Sequence, residues 1–264
     1  MHKPGRLIAI AVAIAGCLAV HAQDARQYVE KAVETELAGD ATDHSHWLYF
    51  EVERRSGDSI KQWVAETEDG NLIRVVEENG LAVPEQEQRS KVDSFAGSKS
   101  EQAKQRKSEQ HDDDQAAEML RTLPKAFLWT KTGDANGNTT LHFKPDPEFH
   151  PSSYEQRAFA AMEGDLIVND EQLRIASIKG KMIHDVKFAG GLLGYLEAGG
   201  SFDVERRETG KGLWQIVETH IHIQGRALFF KSIGEQEDDV KTKFKQLPDN
   251  IALQPAEQDV LAQR

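Results

Sequence analysis

Thr219-His220-Ile221-His222 places two imidazoles two residues apart. Successive side chains alternate along a strand, so His220, His222 and Glu218 would share one face. Two imidazoles and a carboxylate can hold zinc or another divalent ion. His44 and His46 repeat the spacing near the first predicted strand. The sequence fixes no third ligand, however, and an outward polar face opposite buried Val217, Ile221 and Ile223 accounts for the same pattern. The expectation is no metal, with His220 and His222 as the pair that would hold one. His111-Asp112-Asp113-Asp114 gathers charge without the alternating ligands and glycine of a calcium loop. Acids near a helix start are already explained by the helix dipole. No nucleophile elbow, P-loop or dinucleotide-binding glycine pattern is present. The chain is expected to be non-enzymatic and to use no cofactor.

The one cysteine, Cys17, lies inside a leader-like segment. Lys3 and Arg6 precede Leu7 to Val20, a run of 14 uncharged residues. A spanning helix needs about 20, whereas a secretory signal core is this short and follows a positive start. Val20-His21-Ala22 offers a cleavage site before Gln23, and the chain is expected to be exported to the periplasm. Ile14-Ala15-Gly16-Cys17 also reads as a lipobox, so a membrane anchor through Cys17 is the alternative. Either route leaves the mature fold without a disulfide or a catalytic thiol.

The 264 residues carry 32 basic and 44 acidic side chains, a net charge of −12. Such a balance opposes sequence-independent nucleic-acid binding, which needs cations to displace counterions. It equally opposes capture by an anionic membrane surface.

The elements that must position any site follow from periodicity. Ala25, Tyr28, Val29, Ala32, Val33 and Leu37 form one stripe of a helix over Asp24 to Gly39, with Asp24 predicted to cap it and Gly39 to end it. His46 to Arg54 alternates, with Leu48, Phe50 and Val52 on one face and Trp47, Tyr49, Glu51 and Glu53 on the other. Strands over Ile60 to Glu68 and Leu72 to Glu78 join through Asp69-Gly70. Pro84 to Glu118 reads as a charged, exposed helical or partly disordered insertion, broken near Ala96-Gly97-Ser98. Met119, Leu120 and Leu123 then form a short apolar stripe. A hairpin is predicted around Asn136-Gly137, and Pro145, Pro147 and Pro151 make an extended crossing loop. Further strands are predicted over Asp165 to Asn169, Leu173 to Val186, Ser201 to Arg207, Leu213 to Gln224 and Ala227 to Ile233. The economical architecture is mainly β within the α+β class: one strongly curved antiparallel sheet with helices covering its concave face. Residues 1–22 would be the signal peptide, 23–240 the sheet domain with its insertion near 84–118, and 241–264 a C-terminal tail.

Several stretches sharpen this reading. They are Phe143-Lys144-Pro145-Asp146-Pro147-Glu148-Phe149-His150-Pro151, Met162-Glu163-Gly164-Asp165-Leu166-Ile167-Val168, His184-Asp185-Val186-Lys187-Phe188, Gly190-Gly191-Leu192-Leu193-Gly194, Trp214 and Gly225-Arg226-Ala227-Leu228-Phe229-Phe230-Lys231. With these residues the chain resembles an uncharacterised exported branch of the LolA-like superfamily of lipoprotein and lipid carriers. The resemblance implies an unclosed β-barrel, a half-barrel domain whose apolar concave cavity, partly lidded by helices, shelters acyl chains of lipids or lipoproteins. Leu48, Phe50 and Val52 are the expected cavity wall, and Met119, Leu120 and Leu123 the expected lid. The alternative is a structural or regulatory envelope module that binds protein partners through the same sheet. The charged insertion departs from the carriers, and no residue here matches their lid-holding arginine.

Overall fold

The computed structural model describes residues 7–188, 194–227 and 232–264, with side chains described over 23–188, 194–225 and 236–264. The positive leader residues Lys3 and Arg6 and the Gly190-Gly191 pair lie outside these ranges. The first element, α1, is one helix over Leu7–Thr42. Asp24 and Gly39 therefore sit inside it rather than capping it. The Ala- and Leu-rich run before Asp24 is itself a strong helix former, and the Asp43 N–H still reaches the Gly39 carbonyl at 2.8 Å. The predicted stripe is real: Ala25, Val29, Ala32 and Val33 are buried, and Tyr28 and Leu37 pack at the cluster margin.

Strands β1 (His46–Arg55), β2 (Asp58–Ala65), β3 (Leu72–Glu78) and the two-residue β4 (Leu81–Ala82) form an antiparallel run. Gly70 takes φ +122° in the turn between β2 and β3, a conformation that favours glycine. The charged insertion is fully helical. Helix α2 (Glu85–Gly97) stops at Ser98, whose hydroxyl accepts the Glu101 N–H and starts α3 (Lys99–Ala126). The second helix runs through Leu123 and Pro124 before β5 (Phe127–Ala135) begins. Asn136 and Gly137, both at positive φ, turn β5 into β6 (Asn138–Pro145). After the proline loop come the short α4 (Tyr154–Phe159), β7 (Met162–Asn169), β8 (Arg174–Met182), β9 (Val186–Phe188), β10 (Gly194–Leu196), β11 (Ser201–Gly210), β12 (Leu213–Ala227), β13 (Ser232–Leu247) and α5 (Leu253–Leu261). Of the strand predicted across Ala227 to Ile233, Ala227 ends β12, Ser232 and Ile233 begin β13, and residues 228–231 lie outside the described range.

The described strands form one unclosed antiparallel sheet in the order β4-β3-β2-β1-β13-β12-β11-β8-β7-β6-β5, with β10 pairing β12 and β9. The expected tail is corrected here. Strand β13 runs to Leu247 and lies between β1 and β12 in the middle of the sheet. Leu247, Ile251, Ala256 and Val260 are buried, so 241–264 completes the fold. The misreading has a physical cause. Segment 235–245 is dense in Glu, Asp and Lys, and its charges are balanced only by neighbouring strands that sequence alone does not reveal.

Register separates the two faces of the sheet. Leu141, Leu166, Ile178, Val204, Thr219, Asp239 and Glu53 follow one another across adjacent strands and share one face. On that face α1 and the end of α3 cover a core of Phe127, Trp129, Leu141, Phe143 and Leu166. Trp47, Tyr49 and Val64 form a smaller cluster on it farther along. The opposite face of β1–β3 carries Leu48, Trp63, Ala65 and Leu72, packed under Val92 of α2 and Ala256 and Val260 of α5.

Candidate functional site

Two helices define the open side of the curved sheet. Helix α1 is fastened to it at three places along its length. Arg26 pairs with Asp146 at 2.7 Å, and the Tyr28 hydroxyl donates to Asp170 at 2.6 Å. Burial, reinforced by that carboxylate, pushes the Tyr28 phenol up to about 12. The third clasp is Glu36, whose side chain is 1% exposed. One of its oxygens accepts the Ile175 N–H at 2.5 Å, and the other takes Arg174 Nε at 3.0 Å, Arg174 Nη2 at 2.9 Å and Arg206 Nη1. Gly39 leaves the room this needs, since a Cβ there would stand 2.8 Å from the Arg174 guanidinium.

Helix α3 links the two edges of the sheet. The chain leaves β4 at one edge and must reach β5 at the other; 28 helical residues span about 42 Å at ~1.5 Å each. Its far half is held by polar contacts: the fully buried Gln102 donates to the Phe95 and Ala96 carbonyls at the end of α2, at 2.9 and 3.0 Å, and the rest lie at the turn between β2 and β3. There Gln105 accepts the Asn71 N–H at 2.8 Å, the Asn71 side-chain amide donates to Glu109 at 2.9 Å, and Arg106 donates to the Asp69 carbonyl at 2.9 Å. Its near end is anchored by apolar packing, with Leu123 buried and Leu120 at the margin of the main core. That core does not stop at the helix edge. Ile178, Phe202 and Ile223 continue it, half-buried, along β8, β11 and β12 on the same face.

The proposed wall and lid are not brought together. Leu48 is buried and Phe50 packs edge-on to Trp63 at 5.2 Å, both on the face covered by α2 and α5. Val52, half-buried, shares their side of β1. Met119, Leu120 and Leu123 lie on α3, and the last two belong to the core on the other face. The parity is the reason for the error. Strand β1 carries large apolar residues on both faces, and periodicity cannot say which face meets which helix. The residues that do share the α3 side are Trp47 and Tyr49. Cys17 falls within the part of α1 before residue 23, whose side chains are not described.

His220 and His222 do share a face, as alternation requires, but they converge on an acid. His220 Nδ1 lies 2.6 Å and His222 Nε2 3.1 Å from the same oxygen of Asp238. They belong to a belt of alternating charge on the outer face: His142, Asp165, Lys179, Asp203, His220, Asp238 and Arg54 stand opposite one another on seven adjacent strands. Among the described residues no group of three or more His, Cys, Asp or Glu is arranged to hold a metal. His46 pairs with Leu247, nine residues along β13 from Asp238, or about 30 Å at ~3.3 Å per residue.

Opposing charge shifts have a readable consequence. The hydrogen bond that His220 donates to Asp238 raises the imidazole, and His220 in turn lowers Asp238. Burial raises Glu66 to about 7 and also raises Asp239, whose neighbour Glu51 adds to the effect. A raised carboxyl makes the folded state bind more protons than the unfolded one, so stability falls as pH climbs from about 4.5 through about 7. The His220 contribution is present below its unfolded value and is also lost as pH rises; Asp238 contributes from above the ordinary aspartate range and is lost only in acid. Thermal unfolding should therefore give a higher midpoint at pH 5.5 than at pH 8. Glu66→Gln, which keeps an acceptor for the Trp47 N–H at 2.8 Å, should flatten that difference. A midpoint that rises toward pH 8 would contradict the assignment.

No protein-family model, curated protein or solved structure matches the chain. No described helix is long and apolar enough to cross a membrane. The fold and site therefore define a class, an α+β protein built on one unclosed curved antiparallel sheet bridged by a helix. Sequence reasoning missed the Glu36 clasp and the α3 latch. The available signals were a lone Glu on an otherwise apolar helix stripe and the polar Asp69-Gly70-Asn71 turn. Neither names its partner more than thirty residues away.

Proposed function

We propose that this protein is an exported, non-enzymatic carrier or receptor for acyl-bearing lipids or lipoproteins. The observation that carries the reading is α3, a helix strung between the two edges of an open sheet, apolar at one end and held by a few polar contacts at the other. Releasing Gln105, Arg106 and Glu109 from the turn exposes no large apolar surface of their own, so the middle of α3 can part from the turn at small cost while its first turn stays fastened to α2 through Gln102. The half-buried Ile178, Phe202 and Ile223 then offer apolar area continuous with the core. Sheltering acyl chains there gains about 0.8 kcal/mol per CH₂ removed from water. The leader-like N-terminus supports export, where an acyl chain crossing an aqueous compartment needs such cover.

The test is binding of a fluorescent fatty acid by wild type, Phe202→Glu and Phe50→Glu. A carboxylate among acyl chains is unpaired and costs several kcal/mol, so Phe202→Glu should weaken binding at least about tenfold. Phe50→Glu, on the opposite face, should leave the affinity of the folded protein unchanged. Wild type that binds no acyl probe, or Phe202→Glu that binds as wild type does, removes the reading.

A further inference from the structure

Two of the stretches that carry the family resemblance meet in space. The proline loop after β6 and the His184-Asp185-Val186-Lys187 segment leading into β9 line one open pocket of about 370 Å³. Pro145, Pro147 and Pro151 form its rim, and fixed φ at three prolines holds that rim in shape. Its floor is apolar: Val186 is buried in the main core and Phe149 packs against it. Of the two carboxylates in the lining, Asp146 is neutralised by a cation and Asp185 is hydrogen-bonded but keeps its charge. Asp146 pairs with Arg26 at 2.7 Å and accepts the Glu148 N–H at 3.0 Å. Asp185 accepts the Ala198 N–H at 2.9 Å.

Three basic side chains in the same lining are not engaged by any acid among the described residues. Arg157, His184 and Lys187 are exposed at the mouth, and Arg157 otherwise only lies over the Tyr154 ring at 5.8 Å. In a chain with 44 acids against 32 bases, a pocket that sets Arg157, Lys187 and His184 against one unpaired carboxylate, Asp185, favours anions. A planar guanidinium and an ammonium beside it match the oxygens of a phosphate, the first by paired hydrogen bonds and the second as a point charge. An apolar floor beneath them suits the carbon chain attached to that phosphate.

We propose that this pocket binds a phosphate ester group, presented by the headgroup of an anionic phospholipid. Arg157 and Lys187 pair with the phosphate oxygens, His184 donates a hydrogen bond, and the first acyl carbons rest on Phe149 and Val186. The lipid source rests on the carrier reading; the anion site itself rests on the pocket.

Calorimetry on the full chain at about 0.1 M salt separates the two. Three probes are compared: dihexanoyl phosphatidate, dihexanoyl glycerol with the same tails and no phosphate, and inorganic phosphate. The variant is Arg157→Gln with Lys187→Gln, both exposed, so the fold is retained and circular dichroism checks it. Wild type should bind the phosphatidate at least about tenfold more tightly than the neutral diacylglycerol, and the variant should bring that ratio close to one. Arg157→Lys with Lys187→Arg should restore most of the preference. A ratio near one in wild type, or a ratio the Gln variant leaves unchanged, overturns the site. Inorganic phosphate binding as tightly as the phosphatidate overturns the lipid source and leaves a free-phosphate site. A phosphate preference that obeys the variants, together with no binding of the fluorescent fatty acid or the neutral lipid, upholds the site and defeats the carrier reading.

Discussion

Replacing Glu36 by alanine is expected to destabilise the protein by about 3–5 kcal/mol, the usual cost of removing one partner from a buried ionic group. The side chain is 1% exposed, and those of Arg174 and Arg206 are 11% and 16% exposed. Both guanidiniums would stay in place without a counter-charge, and the Ile175 N–H would lose its acceptor. Domains of this kind are held by only about 5–15 kcal/mol, so the loss approaches the whole margin. Glu36→Gln keeps an acceptor for Ile175 and should cost less. Because the clasp joins α1 to β8 and β11, amide exchange should accelerate along α1 before it does in β12 and β13. Urea unfolding reads the energy; a loss below about 1 kcal/mol would mean that apolar packing alone seats the helix.

Gly164→Ala should be still less tolerable in proportion to its size. A Cβ at this position would stand 1.8 Å from the Lys179 carbonyl oxygen and 2.6 Å from the Gly180 Cα. Gly164 and Gly180 face each other across β7 and β8, so two backbones come together where side chains would hold them apart. The obstacle is main chain, which cannot rotate away as a side-chain end can. Overpacking commonly costs 1–3 kcal/mol, and we expect about 3 kcal/mol or more here. Gly97→Ala is the control. That residue ends α2 with nothing within 4 Å of the added methyl, and its effect should stay within about 1 kcal/mol. Equal losses at the two positions would show that the β7–β8 approach can relax.

Much of the fold is legible in local chemistry. The β3 span, the helix break at Ser98, the Asn136-Gly137 turn and the buried stripe Ala25, Val29, Ala32 and Val33 all follow from residues within one turn or one hairpin of each other. Such features depend on backbone preference and short-range periodicity, which a sequence displays directly. From them come the mainly-β class and the curved antiparallel sheet; local pattern leaves the charged insertion either helical or partly disordered, and the structure makes it helical.

What long-range pairing controls was not legible. Leu48 and Tyr49 are adjacent and both buried, so only the sheet's surroundings decide that one meets α2 and α5 while the other faces the α3 side. Segment 235–245 looks like a solvated tail until β1 and β12 flank it. Glu36 sits 138 residues from Arg174. In each case the stabilising partner is a charge or a surface far along the chain. Local sequence therefore determined which elements form, and tertiary structure decided which faces and charges they present to one another.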